Sequence, residues 1–197
     1  MPQFILTLIV SLMASATAFQ SVMPKAARGS ALNAGIVETL ATLQGPEVFW
    51  GCDGPALGHE EDEIKGYDNF DVLATTMTAN GVTCAGGEFT LLAPSNSAID
   101  KHNKEVGTPI DASILNYHLI PGRQAMTALT TDQTTVNGGV LTSYRKFRKN
   151  WLDNAIIGLK SEGASKSASW PADVACDNGL IHGIDTVLVP GAYTGSR

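Results

Sequence analysis

The chain has 197 residues, 44% of them hydrophobic and 16% charged, with 13 basic against 19 acidic residues for a formal net charge of −6. This is the composition of one globular domain behind a leader, long enough to bury a core without disulfide staples. The acidic balance excludes nucleic acid as the main partner, and three cysteines (Cys52, Cys84, Cys176) are too few and too widely spaced for a metal ribbon or a disulfide-dense scaffold.

The leader reads in two parts. The apolar run at residues 4–13 is too short to span a bilayer, and Ala16 and Ala18 suit a signal-peptide cut before Phe19, which assigns 1–18 to a signal peptide. Residues 19–34 carry Lys25, Arg28 and several small residues but no acid, a transit-like composition. A cut that exposes an aromatic ahead of such a segment resembles the targeting leader of proteins bound for complex plastids, with secretion as the alternative. Removing residues 1–33 takes away two bases and no acid, leaving 11 bases against 19 acids. No Asn-X-Ser/Thr acceptor occurs, and the last residues, AYTGSR, lack the apolar tail of a lipid-anchor signal.

The first structured element is expected at IVETLATLQG, a short helix with Ile36, Val37, Leu40 and Leu43 on one face, ended by Gly45. Residues 45–68 hold too many glycines, prolines and acids for a long element. FDVLATTMTANG predicts a helix capped by Asn69, with Phe70, Leu73, Ala74 and Met77 on its face and Gly81 as a left-handed stop. EFTLLAP predicts a strand, followed by a helix capped by Ser95. DASILNYHLIPG predicts a helical turn entering a strand at residues 117–120, and Asn137-Gly138-Gly139 marks a turn. SYRKFRKNWL, AIIGLKS and the late LIHGIDTVLV read as strands. Short helices first and strands later point to an α+β fold, with helices packed against a sheet or sandwich.

Three of these stretches, FTLLAPSNSAID (89–100), ILNYHLIPG (114–122) and NGLIHGIDTVLVP (178–190), resemble the signature segments of the fasciclin domain, in that family's order and spacing. The resemblance covers residues 70–191, with 35–69 as an N-terminal helix and inserted loop and 192–197 as a tail. It implies that the last segment is a central strand beside the first, so that the fold closes only when the C-terminal strand arrives. It also implies a non-enzymatic module for adhesion or protein–protein contact, with Tyr117-His118 matching a pair discussed as a contact region. The simpler reading of His118 is a buried imidazole with a partner, holding a loop.

Motifs for chemistry are missing. His59 to Glu63 would need a second histidine where Glu63 stands, and a calcium loop would need a glycine among alternating acids, so HEEDE reads as a solvated acidic loop. No G-x-S-x-G elbow, Walker loop or dinucleotide fingerprint occurs, so no catalytic, cofactor or metal set is expected. Tyr144 to Trp151 is the one basic run, with Arg145, Lys146, Arg148 and Lys149 interleaved with three aromatics. As a single strand it would place Arg145, Phe147, Lys149 and Trp151 on one face. It reads either as an edge protected by charge or as a docking surface for an acidic protein or an anionic lipid. Phe49, Trp50 and Tyr67 in the inserted segment either plug onto the domain or anchor a partner. Cys84 and Cys176, each just ahead of an expected strand, are the favoured pair if a bridge exists.

The expected function is a fasciclin-type protein-interaction module docking on a larger assembly in a plastid, a photosynthetic one being suggested by the address. The alternatives are a secreted or wall-associated adhesion protein, and a small-ligand binder or enzyme without a local motif. The mature chain has no transmembrane segment, and peripheral membrane association stays open.

Overall fold

Two apolar runs distant in sequence, FTLLAP and GLIHGI, lie side by side at the centre of the sheet. The computed structural model describes residues 34–49, 51, 54, 64–158 and 170–195. The expected signal peptide, residues 19–33 of the transit-like segment, Trp50, Cys52 and the acidic run 59–63 lie outside the described residues. In chain order the elements are α1 (Ile36–Thr42), β1 (Glu47–Phe49), β2 (Ile64–Tyr67), α2 (Asp71–Ala79), β3 (Phe89–Pro94), α3 (Asn96–Val106), α4 (Ala112–Tyr117) and β4 (Leu119–Pro121). A 3-10 turn (Ala128–Thr130) leads to β5 (Gln133–Thr134), β6 (Val140–Leu141), β7 (Ser143–Lys146), β8 (Lys149–Leu152), β9 (Ala155–Ile157), β10 (Val174–Cys176) and β11 (Gly179–Ile184).

The main sheet runs β4-β3-β11-β9-β8-β7, with β10 also paired to β11. Strands β3 and β11 are parallel over six pairs, from Gly179↔Phe89 to Ile184↔Pro94. The far side of β11 pairs with β10, and with β9 at Ile184↔Ile157. Successive side chains point to opposite faces, and both faces here are covered. Leu91, Ala93 and Ile181 join a core with Ile36 and Leu40 of α1 and Leu73 and Met77 of α2, together with Phe70. Leu92 and Ile184 join a second core with Tyr117, Ile120, Leu129, Leu141, Leu152 and Leu188. A strand buried on both faces has no solvated side, which is why these two runs read as mostly apolar, with Thr90 and His182 as their buried polar members. A Cβ on Gly179 would sit 1.8 Å from the Phe89 carbonyl oxygen, so the parallel register begins on a residue without a side chain.

Local signals place most helix ends. Ser95 Oγ accepts from Ala98 N to cap α3, which stops on Gly107 at φ +70°, and Asp111 caps α4 through Ile114 N. Gly81, at φ +69°, ends α2 as expected. Its predicted cap does not form. Asn69 Oδ1 instead accepts from Gly45 N, and Asn96 Oδ1, from the start of α3, accepts from Val72 N in the first turn of α2. Helix α1 is likewise served from afar, with Ile36 N donating to Asn178 Oδ1 at 2.8 Å.

Residues 45–68 contain two short antiparallel strands, β1 and β2, and among the described residues no long element. Three later elements differ from expectation. Tyr117 closes α4 and the strand begins at Leu119, because the Asp111 cap and buried Leu115 carry the helix through Tyr117. The last strand stops at Ile184, and Val187 and Leu188 are buried beyond it as coil. The run 143–152 is a hairpin, β7 and β8, and not one strand.

Candidate interaction site

The Tyr117-His118 turn faces inward. His118 is 1% exposed; its Nε2 accepts from Leu188 N at 3.0 Å, which leaves Nδ1 protonated to donate to the Ile114 carbonyl at 2.8 Å. Burial pushes its pKa down to about 4, against the opposing pull of the Ile114 bond, so the ring is neutral. It ties the end of α4 to the segment after β11. Tyr117 Oη donates to Asp153 Oδ2 at 2.8 Å, and Thr142 N donates to Asp153 Oδ1 at 2.8 Å. Burial and then the Asp153 carboxylate hold the Tyr117 phenol well above its usual range. Tyr117→Phe leaves a buried carboxylate oxygen without its donor, and about 2 kcal/mol of stability should be lost in urea unfolding. Unchanged stability would show that Asp153 is satisfied without the phenol.

The basic run folds back on itself. Phe147 and Arg148 are the two loop residues of the hairpin, both left-handed at φ +52° and +61°. Pairing sets Tyr144 opposite Trp151, Arg145 opposite Asn150 and Lys146 opposite Lys149. The face assignment expected of a single strand therefore fails. Tyr144, Lys146, Lys149 and Trp151 share one face, and Arg145 lies on the other. Phe147 is at the apex and 79% exposed, with Lys146 Nζ 5.5 Å from its ring centroid. The ion pairs found among the described residues, Lys101–Glu105 and Arg123–Glu88, involve none of the four hairpin bases.

Behind the apex lies an aromatic layer. Tyr144 stacks on Trp151 with centroids 6.0 Å apart, and on Tyr193 of the C-terminal segment at 5.9 Å. Tyr144 Oη donates to the Asp153 carbonyl at 2.9 Å, and Trp151 Nε1 to the Lys146 carbonyl at 3.2 Å. Burial raises the Tyr144 phenol, with Tyr193 adding to it. A cleft of about 780 Å³ runs along β7, lined by Tyr144, Arg145, Lys146, Asn154, Tyr193 and Thr194 among others. Sequence reading missed Tyr193 and Asp153. Both act over long separations, and the only local hint was the Asp153-Asn154 turn between two expected strands.

The other expected contacts scatter. Phe49 is 2% exposed, which fits the plug alternative for the inserted aromatics and not the anchor. Tyr117 and His118 are buried as well, and His118 fits its simpler reading as a buried imidazole with partners, holding a loop. Tyr67 is 46% exposed, on β2, and Trp50 lies outside the described residues. Cys84 and Cys176 are buried free thiols in one core cluster; burial, with Cys176 nearby, pushes the Cys84 thiol up to about 11. Among the described residues no group of His, Cys, Asp and Glu could hold a metal, and no helix is long and apolar enough to cross a membrane.

With the two central strands and the closing segment in place, the comparison with known proteins is direct. The fasciclin domain model matches residues 65–190, more than half of the chain. The chain belongs to the fasciclin family. It is 28% identical over 153 residues to the transforming growth factor-beta-induced protein ig-h3 of Sus scrofa, covering 70% of this chain and 20% of that one. It is 30% identical over 156 residues to the cell surface glycolipoprotein MPB83 of Mycobacterium bovis, covering 76% of this chain and 62% of the relative. Among solved structures, it is similar to a FAS1 domain pair from the insect cell adhesion molecule fasciclin I, at 25% identity and a TM-score of 0.37, covering 58% and 43%. The chain thus spans about a fifth of the length of ig-h3 and less than two thirds of that of MPB83. In this fasciclin protein, α1 precedes the matched region, yet Ile36 and Leu40 are wholly buried in the first core. The fold therefore includes the helix ahead of the family match.

Proposed function

We propose that this fasciclin protein is a non-catalytic interaction module that docks on a larger assembly through the β7–β8 hairpin. One observation carries the reading: four bases without an ion pair among the described residues surround an exposed phenylalanine on an otherwise acidic chain. Arg and aromatic residues are the side chains over-represented at interface centres, and a basic patch steers toward a partner of opposite charge. Tyr67 on β2 is a secondary contact. The leader favours a plastid as the site of action, with a photosynthetic assembly as the partner that address suggests. The printed name of one relative, a cell surface glycolipoprotein, favours a second reading as a secreted or wall-associated adhesion protein.

Two measurements test this. Residues 1–34 fused to a fluorescent protein, in an alga with complex plastids, should carry the signal into the plastid; signal along the wall would select the second reading. Arg145→Glu with Lys149→Glu should abolish co-fractionation with the assembly while the melting temperature stays within about 2 °C, since both positions are exposed. Retained co-fractionation would remove the hairpin from the interface.

A further inference from the structure

We propose that the hairpin tip, residues 146–149, is a bilayer-inserting element whose ligand is an anionic lipid surface. The inference rests on the docking reading above and names the partner of that same site.

The turn itself supplies the first argument. A two-residue loop with both positions left-handed is the setting in which Asn-Gly is favoured, because a bulky side chain there is strained. This chain places Phe147 and Arg148 at those positions, at φ +52° and +61°. Turn chemistry gives no reason for either side chain, and strain held at an exposed apex points to a use outside the fold. Phe147 is also the most exposed large hydrophobic residue among those described.

The charge arrangement separates a bilayer from a protein partner. Lys146 and Lys149 lie on one face of the ribbon, Arg145 on the other, and Arg148 at the apex beside Phe147. The cations therefore surround the tip instead of forming a one-sided stripe. A ring of bases around an apolar point matches lipid phosphates around an inserted side chain. A protein would need a cleft shaped to receive a convex tip. Residues 144–151 contain no acid, and the nearest one after them, Asp153, is turned inward onto Tyr117 and Thr142.

The stacked rings of Tyr144, Trp151 and Tyr193 complete the match. Tyr144 and Trp151 sit two residues behind the Lys146–Lys149 pair, about 7 Å at a strand's rise per residue. That depth puts amphipathic rings at the headgroup level once Phe147 enters the acyl boundary. The chain's net charge of −6 opposes approach to an anionic membrane. At physiological salt, however, charges beyond about 8 Å are largely screened, and the four local bases dominate at contact.

The test is co-sedimentation of the full chain with phosphatidylcholine vesicles, with and without phosphatidylserine. Variants are compared with one another, since all share the apolar leader. The wild type should bind better when phosphatidylserine is present, and less as salt rises. Phe147→Asn with Arg148→Gly installs the turn's preferred pair, so the fold is kept or stabilised. Binding should fall about 50-fold, from about tenfold for the ring and about fivefold for the base. Equal binding to both vesicle types, or full binding by the variant, would overturn the proposal. Capture on a polyglutamate matrix that the variant loses, without any preference for anionic vesicles, would overturn the lipid and leave the docking hairpin standing. Loss of neither would overturn both.

Discussion

A chain ending at residue 177 should show no cooperative unfolding transition. Strand β11 is the one strand that β3, β9 and β10 all share, and without it the parallel pairing with β3 and the antiparallel pairing with β10 have no partner. The same deletion removes Asn178, which accepts from Ile36 N at the start of α1 and donates to the Cys84 carbonyl. It also removes Leu188, whose N–H fixes His118. Both cores lose a wall, since Ile181 belongs to one and Ile184 to the other. The milder change Ile184→Ala leaves the strand and opens a cavity, and should cost about 2–4 kcal/mol in chemical denaturation. A soluble truncated chain with a sharp transition would refute the closing role of β11. Because that strand must find a partner about 90 residues upstream, folding should also be slow for a domain of this size.

Acid should destabilise the protein between about pH 6.5 and pH 4. His118 is neutral in the folded state with its pKa near 4, pushed there by burial, with His102 adding to the lowering. An unfolded histidine titrates near 6.5. Between those values the unfolded chain takes up a proton that the folded chain refuses. The stability is therefore present in full above the upper value and is lost as pH falls through the lower. A gap of about 2.5 units corresponds to about 3 kcal/mol. His182 acts in the same direction: its Nε2 donates to the Gln124 carbonyl, Nδ1 accepts from Asp173 N, and burial lowers its pKa. Asp185 acts against them, because burial raises its carboxyl and acidification relieves that cost. Urea unfolding followed from pH 7 to pH 4 should show the loss, and His118→Gln should flatten it. A wild-type profile without slope in that window would mean that His118 is not the buried neutral ring described here.

Much of the fold can be read from neighbouring residues because its causes are local. Ser95 caps α3 by accepting from Ala98 N three residues on, Gly107 stops it, and Leu73, Ala74 and Met77 share the face on which α2 is buried. The runs at 89–94 and 179–184 announce buried strands through their mostly apolar residues, and two of the three fasciclin segments contain them. The basic, aromatic character of residues 144–151 is equally plain in the sequence. Its shape is not, because Phe-Arg carries none of the Asn-Gly signal of a tight hairpin. The turn is held instead by the pairing of β7 with β8, the stacking of Tyr144 on Trp151 and Tyr193, and the bond from Tyr144 to Asp153. Only tertiary structure decides that Tyr117 and His118 face inward, since their partners Asp153 and Leu188 lie 36 and 70 residues away. Asn178 capping a helix 142 residues upstream is the extreme case. Composition and periodicity determine which segments become helix or strand and which residues can be buried. Which side chains remain outside to meet a partner depends on contacts that exist only once the last strand has closed the sheet.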